Sequence, residues 1–349
     1  GFRLHVWSAL GYGSSMSFQA ILGHKQAIRG LQSSVQRDRV SHAYLFSGPD
    51  GIGKEKIARA FAALLNCEQP IDGPDACGTC RACRQMSEER HPDLHALEPD
   101  GRFIKIDAVR EMCRKLRYKP MSGRWRIILI READRLHEAA ANALLKTLEE
   151  PTPGNIFLLL SSQTHSLLAT VRSRCQHVRC TTLPTNVVSQ WLEEQRDIEP
   201  QTAAKAAAMS WGSIGYAERL TDPVLMALRT RWLSFISEAT QLNPPELLEW
   251  AEEFAKEKEM IQEILDTLRV AIRDMVIRSA TGQTQHCAFP SHLESLPPIP
   301  VEQGLLAMQA LAEAETSIHH NVNARLTAEH LLLTIRGTLK PETRHAHLR

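Results

Sequence analysis

Gly48-Pro-Asp-Gly-Ile-Gly-Lys54 fits the first seven positions of G-x-x-x-x-G-K-[ST], a loop whose glycines let backbone N–H groups turn inward around phosphate oxygens. It stands between a short apolar run and a helix-forming stretch, so a helix N-terminus and the Lys54 cation would face the same phosphates. A Gly-rich turn ahead of a helix is the plainer alternative. The eighth position, which should offer a hydroxyl to magnesium, is Glu55. Its carboxylate would meet the β- and γ-phosphates with like charge. The second half of such a site is an apolar strand ending in Asp, often followed by Glu, with the Asp supporting the metal. Here Ile127–Ile130 is followed by Arg131 and Glu132, so a cation stands at the metal-supporting position. Glu132 could still orient a water. Two losses at one metal site nevertheless predict that magnesium is not held and that hydrolysis is retired. Both altered positions flank the same metal in a P-loop fold. Glu55 and Arg131 are therefore expected to lie close together as an ion pair in the metal's place, the alternative being that both side chains point to solvent.

A second constellation is Cys67, Cys77, Cys80 and Cys83, spaced C-x9-C-x2-C-x2-C. Soft thiolates at such spacing suit tetrahedral zinc, because a C-x2-C turn places two sulfurs on one metal and the others close the shell. Four thiolates leave no open position, so the expectation is structural zinc; free cysteines or a redox pair are the alternative. His91, in Glu89-Arg-His-Pro-Asp93, reads as a loop residue once four cysteines suffice. Cys113, Cys175, Cys180 and Cys287 show no ligand spacing and are expected as small buried hydrophobes.

The elements that must position these residues follow from the hydrophobic pattern. From Met16 to about Cys180 helices alternate with short apolar runs, as in a parallel α/β domain. The pattern predicts a helix over Lys25–Gln36, a strand over Ala43–Phe46 and a helix over Lys54–Leu65. Ile127–Ile130 and Ile156–Leu160 read as buried strands without alternation, and Glu138–Glu150 as a helix stopped by Pro151. Residues 181–221 read as a small helical unit broken at Gly212. Residues 222–349 read as a helical bundle, with amphipathic stretches such as Leu247–Thr267 and Glu302–Thr316 and a Pro-rich loop at Pro290–Pro300. Residues 1–15 precede the first coherent pattern and read as an upstream or cloning-derived extension.

At 349 residues, 43% of them hydrophobic, the chain is long enough for two or three domains with real cores. Lys+Arg 41 against Asp+Glu 40 gives a net charge of +1, which argues against gripping nucleic acid alone over a broad face. No apolar run of the length that spans a bilayer is present, so no membrane role is expected. Clustered cysteines without a secretory signal point to a reducing, cytoplasmic setting.

His42-Ala-Tyr-Leu-Phe-Ser-Gly-Pro-Asp-Gly-Ile-Gly-Lys54 resembles the P-loop segment of the clamp-loader subunits of bacterial DNA polymerase III, members of the AAA+ class. Glu132-Ala-Asp-Arg-Leu136, Ala141-Asn-Ala-Leu-Leu-Lys-Thr-Leu-Glu-Glu-Pro151 and Ser173-Arg-Cys175 match the same family in order and spacing. The retired magnesium site is similar to that of the delta prime branch rather than the ATP-hydrolysing tau/gamma branch. The resemblance implies an AAA+ domain over 16–180 with a zinc module inserted at about 67–83, a helical lid and a C-terminal helical collar. It implies a five-subunit ring with tau/gamma and delta subunits, acting on the sliding clamp and primed DNA in replication. Asn321-Val-Asn-Ala-Arg-Leu326 and Leu331–Ile335 are similar to the final collar helices, and Gly212-Ser-Ile-Gly-Tyr-Ala217 resembles the sensor-2 motif. There Gly215 replaces the usual nucleotide-contacting Arg. Ser161 and Ser162 stand where the family's sensor-1 residue sits, either reading a γ-phosphate or simply capping the strand.

By the same resemblance Arg174 is an arginine finger, offered to ATP on the adjacent subunit, with Arg172 a less suitable neighbour and a structural Arg at a strand end the plain alternative. The expected function is a non-catalytic subunit of the polymerase holoenzyme that completes a neighbour's ATPase site. ATP or ADP binding stays open: Gly48, Gly51, Gly53 and Lys54 permit it, while Glu55, Arg131 and Gly215 oppose it. Two other readings remain at this point: an active tau/gamma-like ATPase with Glu55 as a metal ligand, and a zinc-module DNA-binding protein with a vestigial P-loop.

Overall fold

Uninterrupted runs of buried Ile, Leu and Phe, with no polar alternation, can be satisfied only where both faces of a sheet are covered. In the computed structural model they form a five-stranded sheet in the order β2-β3-β4-β1-β5, with every pairing parallel. The strands are β1 (Ala43–Ser47), β2 (Leu94–Leu97), β3 (Arg126–Ile130), β4 (Asn155–Ser161) and β5 (Gln176–Arg179). The structure describes residues 16–340 apart from 72, 102, 117, 258, 285, 286, 288–298, 320 and 321. Residues 1–15, most of Pro290–Pro300 and Asn321 therefore lie outside the described residues.

Six helices accompany this sheet: α1 (Lys25–Gln36), α2 (Lys54–Asn66), α3 (Arg81–Ser87), α4 (Ile106–Lys115), α5 (Glu138–Glu149) and the short α6 (Ala169–Arg172). Alternate strand residues serve opposite faces. Tyr44, Phe46, Ile127, Leu129, Ile156 and Leu158 pack with Ile28 and Leu31 of α1 and with Ile57 and Phe61 of α2. Leu45, Ile128, Ile130, Phe157 and Leu159 face the other way, onto Val109 and Met112 of α4 and Leu144 and Leu148 of α5.

From β1 the chain crosses to the far edge at β2, returns through β3 and β4, and then passes to the other side of β1 as β5. The strand order thus reverses beside β1. In open α/β sheets, ligand crevices form beyond the carboxyl ends of strands at such a reversal.

Three further helices follow, α7 (Thr185–Arg196), α8 (Pro200–Met209) and α9 (Ile214–Thr221), with the break between α8 and α9 where Gly212 takes φ 78°. The chain then continues as α10 (Pro223–Glu238), α11 (Pro244–Lys256), α12 (Ile261–Thr281), α13 (Val301–His319) and α14 (Ala324–Leu339). By packing, the chain divides into two units. One ends at Val188 and also includes Trp211–Tyr216; the other comprises Ser189–Ser210 and the chain from Ala217 onward. The second unit has its own core, centred on Trp232, Phe235 and Phe254, with Trp250 edge-on to Trp232 at 5.1 Å between ring centres.

The amphipathic stretch Leu247–Thr267 spans two helices: α11 ends at Lys256, Glu257 caps it, and α12 restarts at Ile261. The apolar period carries across the break because both helices bury residues in the same core, Leu247 and Phe254 on one side and Ile264 and Leu265 on the other.

Candidate functional site

The phosphate-type loop leaves the carboxyl end of β1 and enters α2, whose N-cap is Gly53 at φ 103°. Gly48 and Gly51 also take positive φ, 153° and 70°. A Cβ at Gly48 would lie 2.4 Å from the Cys180 carbonyl oxygen, and one at Gly51 would lie 2.6 Å from Ser213 Oγ. Glycine is required at both.

Lys54 is buried and turns back on its own loop. Its Nζ donates to the carbonyls of Gly48 (2.6 Å) and Pro49 (2.8 Å) and lies 3.4 Å from Asp50 Oδ1. Gly215 rests on the same loop. Its N–H donates to the Gly51 carbonyl at 3.0 Å, and a Cβ there would stand 3.0 Å from Gly51 Cα. Ser213 Oγ donates to Asp50 O at 2.9 Å. The Ser213–Tyr216 segment therefore lies directly against the phosphate loop.

Glu55 and Arg131 meet. Arg131 Nε and Nη2 both donate to Glu55 Oε1, at 3.0 and 2.7 Å. Arg131 lies mostly buried at the end of β3 and has further carboxylates around it: Glu89 Oε1 at 2.7 Å and Glu98 at 3.8 Å. Burial alone would lower its pKa, but the charges and hydrogen bonds of these carboxylates, Glu55 foremost, outweigh that and raise it. Arg59 closes the network, pairing with Glu89 at 3.0 Å and donating to the Ser87 carbonyl at 2.8 Å.

Sequence reading missed Arg59, Glu89 and Glu98. Arg59 carried one signal, its i,i+4 spacing from Glu55 on α2, from which it stands 3.8 Å. Glu89 carried none, because only packing brings it to Arg131. Glu132 is not part of this network. It takes a left-handed backbone (φ 46°) and pairs with Arg135 at 3.0 Å.

At the neighbouring strand ends, Ser161 is buried, with no hydrogen-bond partner for its hydroxyl among the described residues. The Ser162 N–H donates to Asp134 Oδ1 at 3.1 Å. Arg174 lies between α6 and the edge strand β5, half-exposed. Its Nη2 donates to Glu149 Oε1 at 2.6 Å and its Nη1 to the Thr170 carbonyl at 2.9 Å. Arg172 donates to the Thr164 carbonyl instead.

The four cysteines come together. The Sγ atoms of Cys67, Cys77, Cys80 and Cys83 lie within 4.8 Å of one another. A tetrahedral zinc with Zn–S of about 2.3 Å puts sulfurs roughly 3.8 Å apart, and Cys77 and Cys83 are at 4.0 Å. Backbone N–H groups already point at the sulfurs: Cys77 N to Cys67 Sγ (3.4 Å), Cys80 N to Cys77 Sγ (3.3 Å) and Cys83 N to Cys80 Sγ (3.4 Å). The Cys80 N–H leads in lowering the Cys77 thiol to about 6, whereas burial raises Cys67 and Cys83. The donor set and its spacing fit a thiolate-bound metal.

His91 stands outside this group, its Nδ1 accepting from the Asp93 N–H at 3.1 Å. Cys175 and Cys180 are buried, and burial pushes their thiols up to about 12 and about 11. Cys113 and Cys287 are only half-buried, contrary to expectation. Cys113 receives a hydrogen bond from Thr147 Oγ1, and Cys287 makes sulfur contacts to backbone carbonyls.

Comparison with known proteins now bears on this site. Residues 23–184 match the family described as "DNA polymerase III, delta subunit". The chain is 30% identical over 313 residues to DNA polymerase III subunit delta' of Bacillus subtilis, covering 87% of this chain and 94% of that protein. The chain belongs to the delta prime family of DNA polymerase III subunits. Delta prime of Yersinia pestis is 31% identical over 324 residues, covering 83% of this chain and 94% of that one. Likeness also reaches the tau/gamma subunit of Haemophilus influenzae, 35% identical over 214 residues, which is 60% of this delta prime family member but only 31% of that protein. In these family terms the five-stranded parallel sheet carries the P-loop, and the four-cysteine group follows the P-loop helix.

Proposed function

We propose that this chain is a delta prime-type clamp-loader subunit that does not hydrolyse ATP itself and completes the ATPase site of a neighbouring subunit. The observation that carries this reading is the Arg131–Glu55 pair. A guanidinium at the end of β3 neutralises the carboxylate at the head of α2, so the position that would take magnesium is filled by the protein's own cation. Lys54 bonds to the Gly48 and Pro49 carbonyls and Gly215 to that of Gly51, so the loop's cation and the following segment are both tied to the loop backbone.

Arg174 is the residue proposed to act in trans. Its pairing with Glu149 is between partly exposed groups, a contact of low strength that a neighbour's phosphate can outcompete. Zinc in the four-cysteine module is structural on this reading. The helices after residue 181 serve as lid and those after 222 as collar, within a cytoplasmic five-subunit ring of tau/gamma and delta subunits acting on the sliding clamp and primed DNA.

The test uses a reconstituted ring in which only the ATPase subunit next to this chain can hydrolyse. Arg174→Ala is expected to cut its turnover by about 10³-fold or more while the ring still assembles. Unchanged turnover refutes the role of Arg174. Magnesium-dependent ATP turnover by the purified single chain refutes the non-hydrolysing assignment.

A further inference from the structure

Helix α2 ends on one cysteine of the metal group: its C-cap is Cys67. Helix α3 begins on another, with Cys80 as its N-cap, and carries Cys83 in its first turn. The two helices therefore meet at the sulfur cluster, the C-terminal end of one against the N-terminal end of the other.

They meet again at the opposite end. Arg59, one turn into α2, donates to the carbonyl of Ser87, the last residue of α3, at 2.8 Å. Just beyond α3, Glu89 adopts a left-handed backbone (φ 55°), uncommon for a non-glycine residue. That turn carries its carboxylate to Arg59 (3.0 Å) and Arg131 (2.7 Å) together. Along α2, Arg59 precedes Cys67 by eight residues, roughly 12 Å at about 1.5 Å per residue. Along α3, Glu89 follows Cys80 by nine, so two antiparallel segments of nearly equal length are closed at both ends.

We propose that the Arg131–Glu89–Arg59 ion group is the second clamp on the four-cysteine module, and that Glu89 and Arg131 are positioning residues for retention of its metal. The metal fixes one end of the α2–α3 pair; the ions fix the other. This seven-residue helix buries only Ala82, Cys83 and Met86, so what holds its ends adds substantially to what fixes its orientation. Arg131 is suited to the task because it anchors to both sides at once, Glu55 on α2 and Glu89 after α3. With both ends tied, Cys80 and Cys83 are presented to Cys67 and Cys77 already in register. Holding ligands in register slows the opening through which a bound metal escapes. The arginine that fills the former cation position thus acquires a second use, seating the neighbouring metal module.

This inference rests on the reading of the cysteine group as a zinc site, so the experiment begins with the zinc content of the full chain as purified. Zinc loss to a colorimetric chelator is then followed at neutral pH for wild type, Glu89→Gln, Arg131→Met, their combination, and Glu132→Gln as a neighbour outside the clamp. Glu89→Gln keeps size and shape, so it preserves the fold even if Arg131→Met does not; circular dichroism checks both. The expected result is release about tenfold faster in each single variant. The combination should be no faster than the singles, because the two residues act as one clamp. Glu132→Gln should release at the wild-type rate. Wild-type chain without zinc overturns the zinc reading and the clamp with it. Wild-type chain that holds zinc, with Glu89→Gln releasing at the same rate, overturns the clamp alone. Fully additive acceleration, or equal acceleration by Glu132→Gln, also overturns it.

Discussion

Asp93, with no exposed side-chain surface, accepts the backbone N–H groups of Met121 (2.6 Å), Ser122 (2.7 Å) and Gly123 (2.8 Å). Arg126, equally deep, donates to the carbonyls of Lys115, Tyr118 and Lys119, and lies 3.8 Å from the Asp93 carboxylate. Two buried charges thus hold the backbone that leads into β3, and so fix where Arg131 emerges at the strand's other end. Burial works to raise the pKa of Asp93, but the Ser122, Gly123 and Met121 N–H bonds prevail and hold it below the usual carboxylate range. A depressed folded-state pKa means the stabilisation is present above the unfolded value near 3.9 and fades as pH falls through the lower folded value. Asp93→Asn should therefore cost about 3 kcal/mol at pH 7, leaving Arg126 without its partner charge. The gap between variant and wild type in denaturant unfolding should narrow as pH drops below about 4. A gap independent of pH would refute the ionic account.

At the scale of elements, the strands legible from sequence are the central ones. β1, β3 and β4 are buried along their length and read as unbroken apolar runs. The edge strands β2 (Leu-His-Ala-Leu) and β5 (Gln-His-Val-Arg) gave no signal, since in β5 only Val178 is buried and backbone pairing rather than side-chain pattern makes the strand. The contact of the Ser213–Tyr216 segment with the phosphate loop joins residues more than 160 positions apart, and only the resemblance of Gly212–Ala217 to the sensor-2 motif hinted at it. Its closeness depends on Gly51. Gly51→Ala should destabilise the chain by about 1–3 kcal/mol, from positive φ and from the approach of Ser213 Oγ. Adding Ser213→Gly should recover only the part due to the Ser213 Oγ clash, since Tyr216 N would still lie 3.1 Å from the added Cβ, a split that chemical denaturation of the two variants can measure.

Over the whole molecule, a net charge of +1 and two separately cored units suit a chain that works inside an assembly rather than on nucleic acid alone. In the second unit, α13 and α14 bury Leu311, Leu331 and Ile335 in the helical core, yet keep Leu305, Leu306 and Leu326 more than half exposed. On the proposed reading these outward leucines face other subunits in the collar. Leu305→Glu with Leu306→Glu should leave the unfolding free energy of the single chain within about 0.5 kcal/mol per site. Co-elution with tau/gamma and delta subunits in size-exclusion chromatography should fall sharply. Unimpaired co-elution would remove these leucines from the interface.

Sequence alone determined the parallel α/β class, the phosphate loop and the four-cysteine spacing, because each is written in local order: period, glycine placement, and C-x2-C turns. It also singled out Glu55 and Arg131 as the two places where the residues depart from the motif, since motif positions are fixed by count along the chain. Whether they met was decided only by the tertiary structure, as was the company they keep. Glu89 reaches Arg131, and Arg59 reaches Glu89, because α2 and α3 pack antiparallel on a sheet whose β3 ends beside them, a relation set by side-chain packing across separations of 42 and 30 residues. Linear spacing carries no record of such a meeting.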